Sequence, residues 1–344
     1  MQIKTLPDFW TGSRCWGPTV VGILQSSMPS TETQGRTTWR VRYWLTWPVW
    51  NHDDRRLRAP IRALLPLVLT FLALAVIQTA VRARFEHPIR ELLELSGLIV
   101  VLAGGLLVAT RLLDRRPVVD YGLSFDRDWW KAVAVGSGTG LAVTAGALVV
   151  SLQAGWVAVT GFAEAPGVLP FVPAVIVMFA YIAVAAIWEE FIFRATMLKN
   201  LAEGGAGYVG RKPAVLLAVL LSTLVFAALH GGKVTHVSQY GYYVIAGLVL
   251  GSVYALSGDL ALPIGFHVFY NFSQGLLGLG VSQVTPELVV LELVGPDKWV
   301  GEEGLVHVIF ALLGGLVLLA YIRWRDGQLQ IDDRVTEWNP LTEK

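Results

Sequence analysis

The sequence predicts an all-α fold, a polytopic transmembrane helical bundle of about eight spans, and two observations predict it. Of its 344 residues, 54% are hydrophobic and only 15% charged, with a mean hydropathy of +0.55, too apolar for a soluble domain of this size. A hydrocarbon core of about 30 Å takes roughly 20 apolar residues per helix. Stretches of that kind fall at 61–81, 92–113, 130–153, 171–197, 214–231, 240–257, 261–282 and 304–324.

Ahead of the first span, residues 1–60 form a polar, Trp- and Arg-rich segment expected on the cytoplasmic face, without the charged-then-apolar pattern of a cleavable signal peptide. Residues 1–27 show no periodicity, which leaves Met28 as an alternative start. The run W-L-T-W-P-V-W at 44–50, just before R-R-L-R, has the composition of a membrane interface. The next group of helices occupies 61–165. Its second span contains G-G-L-L-V-A-T and its third G-S-G-T-G, small residues at spacings that let helices approach closely. Neither is a phosphate loop, because each lies inside an apolar helix.

The spans within 166–285 are crowded together and form the expected core. A looser stretch, 283–303, carries Glu287, Glu292, Asp297, Glu302 and Glu303 and reads as an acidic loop. This loop and the last helix make up 286–325, and a short polar tail occupies 326–344. The net charge of +1 gives no sign of a nucleic-acid partner, and none is expected. A lone cysteine, Cys15, excludes an internal disulfide and a Cys-based metal cluster. With both termini cytoplasmic, Arg and Lys gather on the inner side and the outer loops keep only Arg82, Arg84, Arg90, Lys233 and Lys298.

Ionisable side chains inside a span cost roughly 2.5–3.5 kcal/mol each on insertion scales, so they face the bundle interior and mark function. Glu190 and Arg194 are four apart on one helical face and can pair, which by itself only orients a helix. Glu189 is rotated by about 100° from Glu190. It is either a carboxylate snorkelling to the interface or a general base that takes a proton from water. Phe226 and His230 lie one turn apart near a helix end, where a lone His is usually interfacial. His267 and Asn271 share one face of another helix; an Asn can donate to a developing oxyanion, and a His can donate a proton or bind metal.

Glu, His, and His with Asn on three neighbouring spans are what activating water against a carbonyl requires. Convergence is the condition. At 1.5 Å per residue, His230 stands about 25 Å from the inner end of its span, Glu189 about 16 Å from Asn200 and His267 about 8 Å from Leu262. A tilted fifth helix, or one that begins below the bilayer, would bring them together. Lys233 and His236 read as solvated loop residues, and His307 as interfacial.

In order, these residues resemble the three motifs of the CPBP family, the CAAX proteases and bacteriocin-processing enzymes, which include type II CAAX prenyl endopeptidases. E-E-x-x-x-R is matched by Glu189, Glu190 and Arg194, F-x-x-x-H by Phe226 and His230, and H-x-x-x-N by His267 and Asn271. The similarity covers roughly 170–275. It implies an intramembrane endopeptidase in which Glu189 activates water, the two His residues assist, Asn271 helps form the oxyanion hole, and Glu190 and Arg194 support the site. It also implies a peptide or protein substrate, possibly prenylated, in the lipid bilayer. Members are often named metalloproteases, yet a metal-independent glutamate mechanism has also been argued. No obligatory cofactor is expected; a divalent metal such as zinc, if present, would take Glu189, His230 and His267 as ligands. A non-catalytic accessory or immunity protein and a proton-coupled transporter are the alternatives.

Overall fold

The apolar stretches become helices in a computed structural model that describes residues 48–231, 240–280, 285–302 and 304–341. A short hairpin, β1 (Trp50–Asn51) and β2 (Arg56–Leu57), leads into α1 (Ala59–Arg82) and α2 (Ile89–Val108), the latter prolonged by a π-helical turn to Leu113. Then come α3 (Arg127–Gln153), β3 (Val157–Glu164), α4 (Phe171–Glu190), a π-helical segment Phe191–Leu198, α5 (Lys199–Val209) and α6 (Arg211–Leu229). The chain closes with α7 (Tyr240–Ser257), α8 (Ala261–Leu276), β4 (Glu287–Leu293) and α9 (Leu305–Asp326). Seven helices among the described residues are long and apolar enough to cross a membrane, with Phe171–Val209 running as one helix of 39 residues. The chain is a multi-pass membrane protein.

The stretch expected to span over 261–282 is a helix of 16 residues, shorter than a full crossing and packed inside the bundle. It stops because the chain turns at Gly278, with φ +66°, where an added Cβ would collide with the Val289 carbonyl. The acidic loop is in part a strand. E-L-V-V-L-E-L pairs antiparallel with β3, from Val157 opposite Leu293 to Glu164 opposite Glu287, with a bulge between Val159 and Gly161. The two strands are more than a hundred residues apart, so no local turn signal announces the pairing. Lys233 and His236, most of the N-terminal polar segment and the end of the tail lie outside the described residues.

G-S-G-T-G in α3 makes the close contact its spacing suggests. A Cβ on Gly136 would sit 2.5 Å from the Leu262 carbonyl oxygen, and one on Gly140 would sit 2.6 Å from that of Phe266. From the other side, Gly265 of α8 lies against the Val133 carbonyl. Backbone meets backbone along this seam. It fixes the height and rotation of α8, the helix that carries His267 and Asn271.

Several of the arginines that read as topology markers are buried structural cations. Arg62 pairs with Asp114 at 3.0 Å and Glu203 at 2.9 Å, Arg56 with Glu203 at 2.6 Å, and Arg116 with Asp120 at 3.0 Å and also with Glu203. Asn200 and the Tyr121 hydroxyl donate to Asp114 at 3.2 and 2.7 Å. The tail joins this cluster: Trp338 Nε1 donates to the Asp114 carbonyl at 2.9 Å and lies under the Arg56 guanidinium at 3.7 Å. Both ends of the described chain therefore lie on one face, bound to the end of α2 and to α5.

The Asp259 carboxylate, between α7 and α8, accepts the Ala261 N–H at 2.6 Å. Burial raises its pKa from the ordinary 3.8 to about 6, against the opposing effects of that bond and of Arg334. A carboxyl that binds its proton more tightly when folded loses stability as pH rises through the window from about 4 to 6. Asp259→Asn keeps an acceptor and removes the charge, so its melting temperature should exceed wild type at pH 7.5 and converge with it near pH 4. A gap that does not change with pH would refute this. For the helix seam, Gly140→Ala should destabilise by about 1–3 kcal/mol. Gly138→Ala, on the same helix with nothing within 4 Å of its added Cβ, should be neutral or slightly stabilising in the same melts.

Candidate active site

Gly210 (φ +81°) ends α5 and opens α6, making a hairpin of the long helix and its successor. Arg194 and Phe226 are each sixteen residues from this glycine, on opposite arms. The hairpin sets the Arg194 guanidinium 5.0 Å from the centre of the Phe226 ring. His230, one turn further, packs on Phe226 at 4.4 Å. The fourth helix does not end near 197 as the hydropathy suggests, and this extra length answers most of the mismatch in height that the expected boundaries produced.

At the centre is Glu190, with no exposed surface. Its Oε1 accepts from His267 Nδ1 at 2.7 Å and meets Arg194 at 3.0 Å. Arg194 is itself 2% exposed. The pair expected at spacing four is present and is also the anchor of a histidine on another helix. Because Nδ1 of His267 is committed to Glu190, Nε2 points to the remaining carboxylate, 3.8 Å from Glu189 Oε2. Glu189 is the more open of the two, its side chain 22% exposed. Its Oε2 is buried without a hydrogen-bond partner.

The π-helical segment between Glu190 and Lys199 is buried along its whole length. A π turn closes its hydrogen bonds one residue later than an α turn and is found most often at functional sites. Here it carries Arg194 back to Glu190. His230, capping α6, has Nδ1 bonded to the Phe226 carbonyl at 2.8 Å and stacks on Tyr243 of α7 at 4.4 Å. Asn271 sits one turn beyond His267 and is half-buried.

Sequence reasoning missed Tyr243, because Y-G-Y-Y at the start of an apolar helix resembles an interfacial belt. It also misread His307. That residue is buried, its Nδ1 2.9 Å from the Gly301 carbonyl and 3.4 Å from Gln274, which extends the His267–Asn271 face of α8 by a turn. Among the described residues no group of three or more His, Cys, Asp and Glu side chains is placed to hold a metal ion.

The geometry defines a polytopic membrane protein with a buried Glu–Arg–His constellation on converging helices. A family model described as "Type II CAAX prenyl endopeptidase Rce1-like" matches residues 171–273, so this core is similar to the CAAX-protease, or CPBP, family, a family of proteases. No curated protein and no solved structure matches the chain.

Removing Arg194 would leave the Glu190 carboxylate buried with one fewer charge partner. Arg194→Met should cost about 3–5 kcal/mol, and the added change Glu190→Gln should recover part of that. Equal stability of the single and double variants in detergent unfolding would disprove the coupling.

Proposed function

We propose that the protein is an intramembrane endopeptidase of CAAX-protease type that hydrolyses a peptide bond with a water activated by Glu189. The observation that carries this reading is the 3.8 Å separation of Glu189 Oε2 from His267 Nε2. It is too long for a direct hydrogen bond and short enough for one water to touch both. That water would donate one proton toward Glu189 and the other toward Nε2, leaving an oxygen lone pair for the substrate carbonyl carbon.

As the C–O bond forms, Glu189 takes the proton and the carbonyl oxygen becomes an oxyanion. The Asn271 amide on the next turn of α8 is suited to donate to it. Collapse of the tetrahedral intermediate breaks the C–N bond, and the proton held by Glu189 passes to the leaving amine. Glu190 keeps His267 in one tautomer, as a carboxylate orients the histidine in a catalytic triad. Arg194 balances the charge of Glu190. His230 assists through Nε2, since Nδ1 is committed to the backbone. No step is routed through a metal.

The bias of Arg and Lys toward the face holding the Arg62–Asp114–Glu203 cluster makes that face cytoplasmic, with both termini on that side. The substrate is a peptide or protein in or at the membrane, with a prenylated C-terminus as the form the family description suggests.

The test is cleavage of a farnesylated CAAX peptide by purified protein, for wild type and Glu189→Gln, each with and without chelator. Wild type should cleave with chelator present, and Glu189→Gln should be slower by about 100-fold or more while melting like wild type. An active Glu189→Gln variant would overturn the mechanism.

A further inference from the structure

We propose that Tyr243 is the positioning residue for His230, holding its imidazole by ring stacking so that chemistry at this ring is confined to Nε2. The functional half of the proposal rests on the protease reading above; the structural half does not. His230 needs such a partner because of where it sits. It is the cap of α6, and the chain leaves the helix there through two tight turns, His230 N–H to the Ala227 carbonyl and Gly231 N–H to that of Ala228, both at 3.2 Å. A histidine at a helix end has no following turn of its own helix to fix its ring.

Two contacts replace that turn. The Nδ1 bond to the Phe226 carbonyl, at 2.8 Å, sets which nitrogen faces the backbone. The ring itself is gripped between two aromatics, Phe226 at 4.4 Å and 45° and Tyr243 at 4.4 Å and 24°, the second close to parallel stacking. Phe226 is anchored by the site, edge-on to Phe193 at 5.2 Å and beneath Arg194. Tyr243 is anchored by α7, which approaches α6 closely where Gly247 meets Thr223 and Gly251 meets Val219. Tyr240, one turn earlier, sets its hydroxyl against Gly231 and closes the same corner. Tyr243 is thus the wall of the His230 slot that comes from outside the hairpin. Stacking needs the ring and not the hydroxyl, so Tyr243→Phe should substitute for it and an aliphatic residue should not.

The experiment uses full-length protein in lipid nanodiscs with 13Cε1-labelled histidine, the His230 resonance being assigned by its loss in His230→Gln. Wild type and Tyr243→Phe should share an upfield, ring-current-shifted Hε1 signal, which moves downfield in both Tyr243→Leu and Tyr243→Met. On the farnesylated peptide the aliphatic variants should lose about tenfold in kcat, the upper range of an aromatic pair's worth, with KM little changed, and Tyr243→Phe should restore the rate. A His230 signal that is the same in wild type and in the aliphatic variants would overturn the stack. A shifted signal with an undiminished kcat would overturn the positioning role. Failure of wild type to cleave would count against the protease reading alone, because the resonance reports on the stack without any substrate.

Discussion

A carboxylate shut away from water must have its charge answered by the protein, and Glu190 imposes that demand on everything around it. With no exposed surface, it takes Arg194 on its own helix and His267 on another through a single oxygen. Removing two charges and a histidine from water is costly unless each is paired in good geometry. Once that geometry is adopted, α8 can neither slide nor rotate without breaking it. The ion pair thereby also fixes the register between helices, and the direction in which His267 presents its second nitrogen follows from it.

The rest of the bundle delivers the partners to this point. Glycines at 136, 140 and 265 bring the backbones of α3 and α8 together, which sets the depth of His267. Gly210 folds α6 back along the long helix so that Phe226 arrives under Arg194. Below, the Arg56, Arg62 and Arg116 cluster with Asp114, Asp120 and Glu203 ties the end of α2 and α5 to the tail. Backbone contact, chain reversal and charge pairing thus act at three levels of the same bundle.

Hydropathy made the helices legible, because burial in lipid leaves little choice of secondary structure to a long apolar run. The motif residues were legible for the complementary reason: Glu, Arg, His and Asn stand out where lipid is expected. What stayed hidden depends on contacts between distant segments. The pairing of β3 with β4 has no local signature, and Glu287 and Glu292 made β4 read as a loop. His307 looked interfacial because its position in the chain says nothing of Gln274, which comes to it from α8. Arg116 and Lys199 looked like markers of the inner side, while their burial depends on Asp120 and Glu203, which only folding brings near. The continuation of the fourth helix to Val209 was missed because its last residues are polar enough to resemble a loop.

The π-helical segment Phe191–Leu198 holds one residue more than an α-helix of the same rise would need. Deleting one of residues 195–198 would relax the segment to ordinary helix and leave both flanks in their present phase, whereas the same deletion from an α-helical turn would rotate everything beyond it by about 100°. The segment is thus a place on the long helix where the chain can shorten by a residue without turning the basic end away from Glu190.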